Sequence, residues 1–202
     1  TGCGANYQSQ KTGGVIGNDV VDLAAAAKES NWRRKGFLEK VFSTEERSMI
    51  SSAMNQHQMV WLLWSMKEAA YKAHQREFQL PRKLNWQSQH CFLKRLSENE
   101  ASGKVKIGET EYFTCSEISE AFIHTSAVKQ KNRVVKKGIF EGPSRKTKER
   151  LLQEISFILS CDKADINLEK DVLGMPFFSY KNQRIFDQFS LSGHGKYSAY
   201  LL

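Results

Sequence analysis

The period of hydrophobic and polar positions changes repeatedly along this chain, and each change marks an element. Residues 15–23 are β-branched, follow Gly13-Gly14 and are interrupted by acids, the pattern of a strand that delivers Asp19 to its end or edge. Residues 24–29 and 31–42 read as helical, and Ser43-Thr44-Glu45-Glu46 sets a hydroxyl ahead of acids, so another helix begins near Glu45. Residues 56–75 carry Val60, Trp61, Leu63 and Trp64 on one side of an amphipathic helix, and Pro81 closes the segment behind it. Stretches 84–96 and 104–113 alternate in places, are separated by a polar turn at 97–103 and predict a hairpin; 121–128 predicts a further strand. Leu151, Leu152, Ile155, Ile158 and Leu159 are spaced as in a helix packing one face on a sheet, over 146–160. Residues 167–180 break at Gly174-Met175-Pro176, and 188–202 ends the chain as strand, tight turn and strand. Mixed elements of this kind define the α+β class.

Composition narrows the setting. At 202 residues and 40% hydrophobic, the chain can bury one substantial core or two small ones, and its apolar runs are too short to cross a bilayer. Residues 1–14 are rich in Gly, Ser, Thr, Gln and Asn and lack the apolar stretch of a signal peptide, so they read as a flexible leader outside the fold. Cysteines at 3, 91, 115 and 161 show no C-x-x-C spacing, which argues against a zinc site, gives no support for a disulfide framework and fits a reducing, cytoplasmic location. A net charge of +8 favours an anionic partner: nucleic acid, phosphorylated cofactor or acidic protein. The excess is concentrated in 129–150, ordinarily a solvated hairpin and helix start, alternatively a docking face for an acidic carrier helix.

The stretch 64–73, W-S-M-K-E-A-A-Y-K-A, carries candidate chemistry. On a helix Trp64, Glu68 and Lys72 stand at successive i,i+4 positions with Lys67 and Tyr71 beside them, so one carboxylate sits among cations and aromatics. Such a surface suits a divalent ion and a diphosphate. Glu68 and Lys72 in that order also form an ordinary helix ion pair worth ~0.3 kcal/mol, so the stretch alone does not decide.

Taken in order, G-N-D-V-V-D-L at 17–23, the 64–73 stretch, Gly174-Met175-Pro176 and F-S-L-S-G-H-G-K-Y at 189–197 resemble the 4′-phosphopantetheinyl transferase superfamily. The resemblance implies that family's α+β fold and an enzyme that moves the phosphopantetheine arm of coenzyme A to a serine of an acyl or peptidyl carrier protein, releasing 3′,5′-adenosine diphosphate. It implies Mg2+ as the metal cofactor, with Mn2+ as the alternative ion, and coenzyme A as co-substrate. Asp19 and Glu68 would be the metal ligands. Val21 stands where some members have a third carboxylate, which points to the holo-acyl-carrier-protein synthase type. Asp22, three residues from Asp19 on a strand, would face the other way and serve structure. Lys67 and Lys72 would bind the diphosphate, with Lys67 near the leaving group, so that Glu68 and Lys67 are the catalytic pair. The serine proton would pass either to Glu68 or to water on the metal. Ser192 and His194 would contact the cofactor, although Gly193 occupies the place where the family usually has histidine, which predicts weaker or altered coenzyme A binding. His57, His74, His90 and His124 read as packing or surface residues.

Family members of two halves suggest that 15–202 forms one transferase domain built as a pseudo-dimer, with halves drawn at 15–115 and 116–202 and the usual order of halves exchanged. A monomer is then favoured, with a trimer as the alternative; neither nucleic acid nor membrane is expected as a partner. Two rivals remain: a catalytically impaired homologue that binds coenzyme A or carrier protein, motivated by Gly193, and a basic nucleic-acid-binding module, which leaves Asp19 and Glu68 unexplained. Whether the carrier serves fatty acid, polyketide, peptide or pigment synthesis is not encoded in these motifs.

Overall fold

The computed structural model describes residues 15–131, 133 and 135–202, so the leader expected at 1–14 lies outside the described residues. Strand β1 (Ile16–Asp22) runs into α1 (Leu23–Glu29), followed by α2 (Phe37–Val41), α3 (Thr44–Ser52) and the long α4 (Gln56–Phe78). Strands β2 (Gln89–Leu96), β3 (Glu100–Ile107), β4 (Thr110–Ile118) and β5 (Phe122–Val128) then meander back, giving an antiparallel sheet of order β1-β5-β4-β3-β2. The second half comprises β6 (Lys137–Glu141), α5 (Ser144–Leu159), β7 (Ile166–Lys170), β8 (Pro176–Tyr180), β9 (Gln183–Phe186), β10 (Ser190–His194) and β11 (Tyr197–Leu201). Its strands form two sheets, β10-β11-β6 and β7-β8-β9. In both halves the first strand pairs with the last and the penultimate strand lies beyond it. The architecture is α+β, as the sequence pattern requires.

A division at residue 115 would pass through the middle of β4; the first sheet ends at Val128 and the next strand begins at Lys137. Three local expectations also change. Residues 31–42 are helical only over Phe37–Val41, because Gly36 adopts a left-handed conformation (φ 83°). The stretch 104–113 spans a β-turn at Gly108 rather than one strand, with β3 and β4 on either side. Strand β6 lies inside the basic run, where charge masks the alternation.

Helix α4 organises the first half. Asn55 caps it, its side chain accepting from the Gln58 N–H, and Val60, Leu62, Leu63, Met66, Ala69, Ala70 and Ala73 are each at most 1% exposed. A helix buried on most of its circumference is held between layers, here the five-stranded sheet and the α2–α3 segment. Gly17 of β1 makes the closest approach: a Cβ there would lie 2.1 Å from the Ala69 carbonyl oxygen and 2.7 Å from the Ala73 nitrogen. Strand and helix therefore meet backbone to backbone, which only Gly opposite two alanines permits. The second half has its own core around Leu151, Ile155, Ile166, Phe178, Phe189 and Tyr200.

Much of the basic run is neutralised internally. Lys129 pairs with Glu77 of α4, Lys136 and Arg150 with Glu154 of α5, Lys137 with Glu117 of β4, and Arg145 with Glu149. These pairs tie the segment between the halves to both of them, so much of its charge is committed within the protein rather than held out as a docking face. No helix among the described residues is long and apolar enough to cross a membrane.

Candidate active-site cleft

Between α4 and the second half lies a cleft of about 790 Å³. Glu68, Lys72 and Arg76 line it from α4 at i, i+4 and i+8, with Thr147 and Lys148 of α5 and Ser190, Ser192 and Gly193 of β10 on the other side. Arg82 and Lys170 add further cations to its wall.

Asp19 reaches this site because alternation along β1 turns it to the same face as Gly17, toward α4. The Lys72 ammonium donates to the Asn18 carbonyl at 2.8 Å and to Asp19 Oδ1 at 3.1 Å. Glu68 forms no hydrogen bond or ion pair among the described residues, and burial, then the charge of Asp19, push its carboxyl up to about 7 against the pull of Lys72 and Arg82. Two carboxylates therefore share one poorly neutralised corner. The oxygen donors fit a hard divalent ion, whose charge would offset the burial and the repulsion from Asp19 that raise Glu68. Among the described residues no group of three or more His, Cys, Asp or Glu side chains could hold a metal.

Lys67 is placed elsewhere. One residue before Glu68, it is rotated by about 100° around the helix and points into the layer beneath α3. There its ammonium meets Glu46 at 2.6 Å and donates to the carbonyls of Val41 and Trp86, both members of the ion pair being at most 1% exposed. Glu46 also accepts from the Cys91 N–H and closes the capping box with Ser43. Lys67 thus stitches α4 to α3 and β2, and it is not among the residues that line the cleft, where its catalytic and binding roles were expected. Trp64 stacks on Trp86 and Phe37, orienting the helix.

His194 is likewise committed to structure. Residues Ser190, Ser192 and His194 alternate along β10 and all face the free edge of β1. The Asn18 N–H donates to Ser190 Oγ, the Asn18 amide to Ser192 Oγ and the Asp22 N–H to His194 Nδ1, each at 3.0 Å. His194 Nε2 lies 3.3 Å from Glu29, and His194, expected to contact the cofactor, is not among the cleft-lining residues. Ser192 does line the cleft.

Asp22 caps α1, accepting from the N–H groups of Ala24 and Ala25, and receives the Lys196 N–H across the β10–β11 turn. Burial would raise its carboxyl, but these bonds outweigh it and hold it below the ordinary carboxylate range. Gly195 makes the turn fit: it has φ 55°, and a Cβ would lie 2.4 Å from Asp22 Oδ2. Gly193 has no such constraint, since a Cβ would meet the Tyr197 carbonyl at 3.7 Å and Ser198 at 3.8 Å, ordinary contact distances. A Cβ at position 193 therefore meets no clash.

Arg76, Arg82, Lys148 and Lys170 lie outside the motifs, and Asn18, within the first of them, was given no role. Arg76 could have been found as the next step of the Glu68–Lys72 stripe. Lys148 and Lys170 arrive only by the folding of the second half against α4. His124, 1% exposed, is held neutral with its pKa pushed down to about 3 by burial and by Lys137 and Lys72.

A paired-carboxylate corner fringed by lysines and arginines is the equipment of a phosphoryl-group transferase. The family model of the 4′-phosphopantetheinyl transferase superfamily matches residues 15–128, more than half of the chain, and the chain belongs to that superfamily. Phosphopantetheinyl transfer is the general activity this membership supports. The matched region contains Asp19, Glu68 and Lys72 and leaves the β10–β11 wall outside it. No curated protein matches the sequence.

Proposed function

We propose that this chain transfers the 4′-phosphopantetheine group of coenzyme A to the serine hydroxyl of an acyl or peptidyl carrier protein and releases 3′,5′-adenosine diphosphate. The observation that carries the reading is the meeting of Glu68 and Lys72, both in the cleft wall, with Asp19, which pairs with Lys72, beside a wall that also carries Arg76, Arg82, Lys148 and Lys170 against the single further acid Glu169. The serine oxygen bonds to the phosphorus next to pantetheine as the bond to the bridging oxygen of the diphosphate breaks, and the serine proton leaves to a base. Asp19 and Glu68 would hold the magnesium ion, which when bound supplies charge neutralisation to the diphosphate. Lys72, braced by Asn18 and Asp19, presents a fixed cation to the leaving side, and Arg76, Arg82, Lys148 and Lys170 supply the remaining positive potential for a polyanionic substrate. The common strand-pairing scheme supports reading the two halves as a pseudo-dimer within one chain, with the cleft between them and no second subunit needed to complete it.

Gly193 favours a second reading, a homologue that binds coenzyme A without turnover. One experiment separates them: mass spectrometry of an apo carrier protein incubated with the chain, coenzyme A and magnesium. Gain of the phosphopantetheine mass supports the transferase, tight coenzyme A binding without gain supports the impaired homologue, and retention of nucleic acid alone refutes both.

A further inference from the structure

Asn18 lies between the glycine that touches α4 and the aspartate of the carboxylate pair, and it is completely buried. Its backbone N–H donates to Ser190 Oγ and its side-chain amide donates to Ser192 Oγ, both at 3.0 Å, while the amide nitrogen also lies 3.3 Å from Nε2 of the uncharged His124. The Asn18 side-chain oxygen has no partner among the described residues. That orientation is the better of the two available. Turning the amide over would leave two buried N–H donors orphaned instead of one carbonyl acceptor, and orphaned buried donors are the rarer defect. His124 Nε2 then accepts, which places the imidazole proton on Nδ1.

A serine hydroxyl has one proton to give. Ser190 and Ser192 both receive a donor from Asn18 at their oxygens, so neither needs to spend its own proton on Asn18, and both line the cleft. We propose that Asn18, held by His124, is a positioning residue that sets the hydroxyls of Ser190 and Ser192 as hydrogen-bond donors to the phosphates of a substrate in the cleft. This rests on the coenzyme A reading above. It also assigns a task to the β10 serines in a chain whose next residue, Gly193, offers no side chain. Asn18 touches no substrate; it acts through Ser192 by its side chain and through Ser190 by its backbone.

The test is a double-mutant cycle of Asn18→Leu and Ser192→Ala, read by calorimetry with coenzyme A and separately with inorganic pyrophosphate, with melting midpoints as a check of folding. Each single variant is expected to weaken binding of both probes about tenfold, and the double variant no more than either, because the loss runs through one hydroxyl. Additive losses in folded variants, a change a merely structural role would produce, overturn the positioning role. So does unchanged affinity in Asn18→Leu. Where Asn18→Leu does not fold, the isosteric Asn18→Asp replaces the donor by an acceptor that draws the Ser192 proton away from the cleft; a folded Asn18→Asp that binds both probes like the wild type overturns the proposal as well. Wild-type protein that binds pyrophosphate with this pattern but fails to bind coenzyme A sinks the coenzyme A reading and leaves the role of Asn18 standing.

Discussion

Glu68 is held in a place that favours its neutral form. Its carboxyl is raised from 4.5 to about 7 by burial and by Asp19, so between those values the folded chain binds more protons than the unfolded one and loses stability as pH rises through that window. Glu68→Gln removes this penalty. In chelator at about pH 8 the variant is expected to be more stable by about 2 kcal/mol, while its transfer activity, assayed separately with magnesium, is abolished. A melting midpoint below that of the wild type under those conditions would contradict the account. On the proposed reading, in which Glu68 is a magnesium ligand, the ion would have to displace the same proton, so its affinity should fall about tenfold per unit below about pH 7; calorimetry that finds a flat affinity across that range would show that Glu68 is not a ligand. Gly17→Ala, two residues before Asp19, should cost more than about 3 kcal/mol in a denaturant titration, because the new Cβ meets helix backbone that cannot rotate away.

At the scale of the element, α4 presents two lysines of one motif to opposite surroundings. Lys67→Ala strands the Glu46 carboxylate in the core and is expected to lose about 3–5 kcal/mol, with the KM for coenzyme A unchanged in the fraction that folds. Lys72→Ala should do the reverse: its ammonium is part-exposed, so stability changes by about 1 kcal/mol or less, while coenzyme A binding or turnover falls about tenfold or more. Thermal melts and kinetics on the two variants decide the assignment. A Lys67→Ala protein that melts like the wild type but has lost transfer would return Lys67 to the catalytic set.

Across the whole molecule, the halves are joined by polar contacts as well as by packing. Arg76 leaves α4 to donate to the carbonyls of Asp187 at 2.5 Å and Pro176 at 3.2 Å, and burial pulls its pKa down despite Asp187. Arg76→Lys keeps the charge but loses the fork that spans two carbonyls, so it should lower stability by about 2 kcal/mol and raise the KM for coenzyme A as the far wall shifts. Equal values for the two proteins in denaturant and in kinetics would remove Arg76 from this role. Reversing Lys136 and Lys137 to glutamate sets like charges against Glu154 and Glu117, and is expected to lower the melting midpoint whether or not a carrier protein is present.

Local chemistry was readable along the chain. The helix start at Ser43, the long helix through Trp64 and the terminal hairpin depend on short-range spacing, which a one-dimensional string preserves; the pairing of Asp19 with Glu68, far apart in the chain, was implied only by the family resemblance. Even Asp22 declared its face by sitting three residues from Asp19. What the string could not carry is the direction in which a side chain meets a distant segment. Lys67 and Lys72 look alike in sequence, and only the position of α3 sends one to Glu46 and leaves the other by Asp19. His194 offered a ring for a phosphate, yet the free edge of β1 needed acceptors for its N–H groups and took it. The basic run read as free charge until its acidic partners arrived from α4, β4 and α5. Burial, charge pairing and hydrogen-bond satisfaction are properties of neighbours in space, and those were decided when α3 and the sheet closed on α4 and the second half folded against it.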